Sequence, residues 1–234
     1  MTEIKLLSVD LINEIAAGEV IEKPNAVVKE LIENSIDSKC SRVTVEIVSG
    51  GIKKILVSDD GSGIDEQYLE KAVQKHATSK MHSASLKNIN SLGFRGEALY
   101  AIANASELTI ISRNKEMSEA RELKVLFGKV IKNTPAKGNY GTTVIVEDLF
   151  KKLPVRRKFL KTDRAEGLAI KNLIKKIALA YPSITFSFIE DGKEKLLLLG
   201  DKADKAEKKR IGEIIGLDFL NSSIYISNES NEFS

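Results

Sequence analysis

The stretch KELIENSIDS, residues 29–38, decides how the rest of the chain is read. Glu30, Glu33, Asn34 and Asp37 fall at helical spacing. At about 100° per residue, with Glu30 at 0°, Asn34 lies near 40°, Asp37 near −20° and Glu33 near −60°. Val28, Leu31, Ile32 and Ile36 occupy roughly 100° to 240°, so the helix is amphipathic. Its apolar side can pack on a sheet. Its polar side is unusual, because like charges three and four residues apart repel and Asn competes with the helix for backbone hydrogen bonds. Such a face is either a solvated surface or a place where a cation relieves the repulsion. Mg²⁺ takes oxygen ligands and often only one or two from the protein. An Asn carbonyl can be one, and a carboxylate a turn away can accept a proton from an attacking water. The face alone leaves both readings open.

Working outward, VTVEIV (43–48) alternates as a strand, Ser49-Gly50-Gly51 turns, and KILVS (54–58) is the partner strand of a hairpin. VSDDGSGI (57–64) then places Asp59 at a strand end before Gly61 and Gly63. A carboxylate there can accept from an exocyclic amine such as adenine's, with glycines letting the backbone approach a flat base. A plain Asp-Gly turn is the alternative. Neither an EF-hand spacing nor a dinucleotide fingerprint is present. Asp65 caps a helix expected to reach about Lys75. Residues 76–95 lack periodicity, and a connection of that length is usually functional. SLGFRGEAL (91–99) closes it, with a helix from about Gly96 to Ala103. Free N–H groups at a helix start form an anion site, to which Arg95 adds charge; a flexible helix entry is the alternative. No P-loop signature occurs.

Further on, ELTIISR, ELKVLF, KVIKN and TTVIVED read as strands, and Arg164–Ala180 as an amphipathic helix with Ile170, Leu173, Ile174, Ile177 and Ala178 on one stripe. ITFSFIE and KLLLL are two more strands. The charged run 201–210 suggests a boundary, followed by a helix in RIGEIIGLDFL and a strand in SSIYIS. Near the N-terminus a helix is expected from Ser8 to Gly18.

The chain has 234 residues and a net charge of +3, with 42% apolar and 29% charged residues. That is globular composition, and no global field calls for nucleic acid. One cysteine, Cys40, and two histidines, His76 and His82, argue against disulfides and a structural zinc. The N-terminus is not a signal peptide, and no apolar run is long enough to span a bilayer. A cytoplasmic protein is expected.

The order of these segments resembles the nucleotide site shared by gyrase B-type topoisomerases, ninety-kilodalton heat-shock chaperones, histidine kinases and MutL. Within that superfamily EIAAGEVIEKP (14–24), KELIENSIDS, DDGSGI (59–64), KHATSK (75–80), SLGFRGEAL, GTTV (141–144) and VRRKFL (155–160) are similar to the MutL family of DNA mismatch-repair ATPases. The resemblance spans about residues 4–225. It implies an α/β (α+β) two-layer sandwich, a mixed, mostly antiparallel sheet with helices on one face. It implies ATP/ADP and Mg²⁺ as cofactors, with Glu30 as general base and Asn34 as the metal ligand. Asp59 would read the adenine amine with Thr143 as its helper. Ser38, Gly61, Gly63, Ile64, Thr78, Ser79, Lys80, Leu92, Gly93, Phe94, Arg95, Gly96, Glu97, Ala98 and Leu99 would complete the pocket, lid and phosphate cradle. Glu33 and Asp37 would orient the helix or nearby polar groups.

The same resemblance implies residues 1–20 as a dimerisation arm, 76–95 as the ATP lid, 1–203 as the ATPase domain and 204–234 as the start of a second domain. In the family that domain supplies a lysine to the γ-phosphate. The partners implied are a second copy of the chain, a MutS-like mismatch-recognition protein and DNA without sequence preference; no membrane is expected. Arg156, Arg157, Lys158 and Lys161, with Lys151, Lys152 and Arg164, form a basic cluster suited to phosphates or simply solvated. Two departures stand out. Asp60 and Ser62 replace the family's usual Asn and Cys, and Asp60 would either weaken adenine binding or point to solvent. LFKKLPVRRKFL differs from the usual LFYNTPARRKFL. Two readings of function follow: an Mg²⁺-dependent ATPase switch, or a nucleotide- and DNA-binding module without turnover.

Overall fold

The computed structural model describes residues 20–78, 92, 96–203 and 205–224. The expected helix at Ser8–Gly18 lies outside these residues. Pro24 opens the first described helix, α1 (Pro24–Asp37). Proline suits that place because its missing N–H would be unpaired there anyway. Val27, Val28, Leu31, Ile32 and Ser35 are its buried stripe, the side opposite the acids.

The sheet follows from alternation. In β1 (Arg42–Val48), Val43, Val45 and Ile47 are buried, and in β2 (Lys54–Asp59), Ile55 and Val57 are buried. Register places Val45 against Val57 and Ile47 against Ile55, so one face is apolar throughout. β3 (Glu107–Arg113), β4 (Ala120–Leu126), β5 (Lys129–Ala136) and β6 (Gly141–Glu147) extend it, with β6 lying between β2 and β3. β7 (Thr185–Glu190) and β8 (Lys193–Leu198) close the other edge, giving eight strands in the order β5-β4-β3-β6-β2-β1-β7-β8. Among the described strands only β1 and β7 run parallel. A parallel neighbour needs a crossover, and α5 (Asp163–Ala180) precedes β7 directly.

The helices cover the apolar face. α1 packs on β1, β2 and α5, while α3 (Ala98–Ala105) packs on β3 and β4. Ile170, Ile174 and Ala178 of α5 meet Phe186 and Phe188 in one core with Val43, Val45, Val144 and Val146. Each of these Ile, Phe and Val side chains contributes about 1.5–3 kcal/mol by leaving water. The architecture is thus the expected two-layer α+β sandwich.

Three local expectations change. After Asp65, whose side chain accepts from Gln67 N, the helix α2 ends at Leu69 and continues only as a 3₁₀ turn, Lys71–Val73. The segment after Leu153, for which no element was expected, holds a short helix, α4 (Pro154–Lys158). The expected helix at 210–220 is two helices, α6 (Ala206–Ile214) and α7 (Leu217–Asn221), separated by Gly216 at φ 124°. Ser222–Ile224 form no strand, and the rest of the expected strand lies outside the described residues.

A second structural anchor was not legible in the sequence. Arg210 of α6 is 1% exposed. Its guanidinium donates to Ala178 O (2.9 Å), Pro182 O (3.2 Å), Ile184 O (3.1 Å) and Leu199 O (2.9 Å). Burial lowers its pKa, partly offset by Glu213. A cation suits the carbonyls left open where α5 ends. It fastens α6 to the end of α5 and to the β7–β8 ends.

Candidate nucleotide-binding site

The apolar face of the sheet turns polar at one end. Asp59 ends β2 on that face, opposite Thr142 of β6, and Thr142 is in turn opposite Ser112 of β3. Asp59 Oδ2 accepts from Ser35 Oγ of α1 at 2.8 Å. Its Oδ1 accepts from Gly61 N (2.9 Å), Thr142 N (3.3 Å) and, weakly, Ser38 Oγ (3.5 Å). Burial raises the Asp59 pKa above the ordinary range, against the hydrogen bonds from Gly61, Ser35 and Thr142 that pull it down. A half-desolvated carboxylate held by fixed donors is a preorganised acceptor. Gly61 is required here, since a Cβ would overlap the Ser38 hydroxyl. Cys40 lies nearby, its thiol pushed up to about 12 by burial and by the charges of Asp59 and Asp60. It is therefore unreactive.

Thr143 does not belong to this cluster. It pairs with Ser58, and the two hydroxyls meet at 2.8 Å on the opposite face of the sheet. Side chains alternate along a strand, so the hydroxyl beside Asp59 is Thr142, one residue earlier. This corrects the expectation that Thr143 helps Asp59. Ser35, Ser112 and Thr142 were missed. A signal existed for Thr142, because its parity matches that of buried Val144 and Val146.

Asp60 is exposed, in line with the expectation that it points to solvent, but its carboxylate is engaged. It accepts from Ser41 N (2.7 Å), Ser41 Oγ (2.5 Å) and Arg42 N (2.9 Å), capping the start of β1. Burial pushes its pKa up, but these bonds outweigh that and hold it below the usual range. Its charge is the smallest of the influences on Asp59. Ser62 donates to Gly63 O at 3.3 Å.

The acidic face of α1 runs away from Asp59. Lys29 reaches the Glu33 carboxylate at 2.8 Å and Glu30 at 3.4 Å. The Lys29 pKa is raised: burial alone would lower it, and Glu33 and Glu30 reverse that. So part of the repulsion is relieved within the helix. Asp37 Oδ1 accepts from Leu92 N at 3.2 Å, tying the helix to the glycine-rich segment. The start of the expected lid also meets the residues that follow it. His76 Nδ1 lies 3.2 Å from Glu97 Oε1. Gly96 (φ 63°) sits so close to Ala77 that a Cβ would lie 2.6 Å from Ala77 O. Gly96, Glu97, Ala98 and Leu99 thus lead into α3 beside Thr78. Ile64 N donates to Ser112 Oγ at 2.8 Å, which seats the DDGSGI loop. Ser79, Lys80, Gly93, Phe94 and Arg95 lie outside the described residues, as do 1–19 of the expected arm.

The basic cluster is partly committed elsewhere. Lys151 pairs with Asp148 (2.5 Å) and Glu107 (3.7 Å), and Lys152 lies over the Phe127 ring at 4.4 Å. Arg157 and Lys158 on α4, with Lys161 and Arg164, are exposed beside Phe159, which is 79% exposed. Arg156 is half-buried. Among the described residues no group of three or more His, Cys, Asp or Glu could hold a metal, and no helix is long and apolar enough to cross a membrane.

A half-buried acceptor with flanking glycines, and an acidic helix joined to a glycine-rich helix entry, lie at one end of the sheet. Residues 21–139 match the family model described as histidine kinase-, DNA gyrase B-, and HSP90-like ATPase. The DNA mismatch repair protein MutL of Rickettsia bellii is 44% identical over 99% of this chain and 38% of its own length. That of Rickettsia prowazekii is 43% identical over 99% of this chain and 39% of its own length. The chain therefore spans under two fifths of these curated relatives. A solved structure of the Aquifex aeolicus MutL ATPase domain complexed with ADP superposes with a TM-score of 0.70 at 36% identity, covering 84% of this chain and 70% of the other. The N-terminal domain of a DNA repair protein gives 0.72 at 31% identity, covering 88% and 60%. The chain belongs to the histidine kinase-, gyrase B- and HSP90-like ATPase family, and within it to the MutL branch.

Proposed function

We infer that this chain is the nucleotide-driven switch of a MutL-type mismatch-repair protein, hydrolysing ATP slowly with Mg²⁺. The observation that carries this reading is Asp59, a half-buried carboxylate held by four donors at the end of the sheet, against the helix that also carries Glu30. The Aquifex relative described with ADP supports it.

Asp59 accepts the adenine amine. The N-terminal end of α3 and the glycine-rich segment receive the phosphates. Asn34 would hold Mg²⁺, an ion that can make do with a single protein oxygen, and there it would supply neutralisation of charge on the phosphates. Glu30, one turn from Asn34, takes the proton of the attacking water. The His76–Glu97 and Ala77–Gly96 contacts hold the roots of the lid together, so closure acts through the residues between them. Under this reading residues 1–20 exchange between two copies on closure. Residues from 204 onward begin a second unit anchored by Arg210. Arg156, Arg157, Lys158 and Lys161 meet DNA phosphates, a MutS-like protein is the mismatch-sensing partner, and the cytoplasm is the compartment.

The test is steady-state phosphate release from Mg-ATP, with Glu30→Ala as the blank. Turnover that disappears in the variant while ATP binding persists supports the switch. Equal release from both refutes Glu30 as base. Binding without release in either points to a nucleotide- and DNA-binding module instead.

A further inference from the structure

The base end of the site holds a buried hydroxyl that neither the acidic helix nor the glycine segments supply. Ser112 is 0% exposed. Its Oγ accepts from Ile64 N at 2.8 Å and lies 3.1 Å from Gly141 O and 2.9 Å from Thr142 Oγ1. A serine hydroxyl has one proton to donate and two lone pairs. Ile64 N–H can only donate and Gly141 O can only accept, whereas Thr142 can do either. Two wirings follow. If Ser112 donates to Gly141 O, the Thr142 proton is taken up by Ser112. If Ser112 turns its proton to Thr142 Oγ1, the Thr142 proton is released toward the half-buried side of that residue. A single O–H rotation separates the two.

We propose that Ser112 is a positioning residue that sets purine specificity: it ties Ile64 to Gly141–Thr142 and, by donating its proton to Thr142 Oγ1, orients that hydroxyl to donate to the ring nitrogen beside the amine that Asp59 accepts. The inference rests on the nucleotide reading above and extends it. In adenine an amine donor adjoins the N1 acceptor, so a carboxylate acceptor beside a hydroxyl donor matches both. Guanine places an acceptor, O6, where adenine has its amine, and its adjoining N1 carries a hydrogen. Both contacts are then mismatched, and buried polar groups left unpaired discriminate strongly.

Calorimetric titration of the 234-residue chain with ADP and with GDP tests this. The wild type should prefer ADP, and Ser112→Ala should cut that preference about tenfold, the scale of one hydrogen bond. Ser112→Thr, which keeps the hydroxyl, should restore it to within about threefold. Ser106→Ala is the control, because Ser106 is equally buried and donates to Ile102 O at 2.6 Å, on the far end of the strand. It should lower Tm and leave the preference alone. If Ser112→Ala does not fold, the isosteric pair Ser112→Thr and Ser112→Val repeats the comparison with bulk held equal. Binding of ADP with an unchanged preference in the hydroxyl-free variant overturns this inference alone. A wild-type chain that binds no ADP overturns the nucleotide reading and takes this inference with it.

Discussion

Asp59→Asn separates the carboxylate's role in binding from its role in folding. Asparagine has one acceptor oxygen where aspartate has two. The Gly61 and Thr142 backbone N–H groups, at 2.9 and 3.3 Å, cannot turn away, so the amide oxygen must face them. The NH₂ then faces Ser35. That hydroxyl has an alternative acceptor, Leu31 O at 3.1 Å, and can receive the new N–H instead. No donor is left stranded, and a partly desolvated charge is removed. Stability should change by no more than about 1 kcal/mol. Binding should fare differently, because the atom facing the adenine amine has become a donor. Losing a charge-assisted bond costs about 1.5–3 kcal/mol, and apposed donors add to it. A total near 3 kcal/mol is roughly a 100-fold rise in the Kd for ADP. Thermal melts and ADP titration of the same samples decide it. ADP binding within about threefold of wild type would refute Asp59 as the base reader. A Tm loss as large as that of a core truncation would refute the reorientation of Ser35.

The raised Asp59 pKa makes two pH statements. The folded protein holds this proton at pH values where the unfolded chain, near 3.8, has lost it. Asp59's share of stability therefore falls as pH rises through the window above 3.8 and is recovered toward acid; matched urea titrations of wild type and Asp59→Asn read this. ADP affinity runs the other way, weakening on acidification already above the ordinary aspartate range, and an ADP Kd flat down to pH 4 would contradict it. Asp60 has the opposite sign: its depressed pKa contributes stability above the unfolded value that is lost as pH falls through the folded one. Asp60→Ala should melt earlier at neutral pH and bind ADP nearly as wild type, since its carboxylate serves Ser41 and Arg42. Gly61→Ala should cost about 1–3 kcal/mol in urea unfolding, because the methyl displaces Ser38 and breaks its bond to Ser35 O. Arg210→Met should cost about 2–4 kcal/mol, since four carbonyls lose a charged donor; a loss under about 1 kcal/mol would show the buried cation to be dispensable.

Much of the molecule could be read along the chain. The helix at 24–37 was legible because its apolar stripe and its acids occupy opposite sides at one period. The strands around Val45, Val57, Ile110 and Phe188 were legible because alternation at period two is a local property. The order of Asn34, Asp59, Gly96 and the late GTTV was enough to name the superfamily, and KHATSK with SLGFRGEAL marked its MutL branch.

What the chain could not show depends on register and on which ends meet. Choosing Thr142 over Thr143 needs the pairing with Asp59, because a shift of one residue puts a side chain on the other face. Ser112 gains its place only when β6 lies between β2 and β3, far from sequence order. Asp60 turned from a neighbouring negative charge into a cap for β1 because the β1–β2 hairpin brings residues 41 and 60 together. Arg210, in a charged run that read as a boundary, is buried because the ends of α5, β7 and β8 leave their carbonyls open around it. In each case the sequence supplied a polar atom, and tertiary structure decided its partner, because the desolvation that makes such an atom consequential is a property of the packed layers.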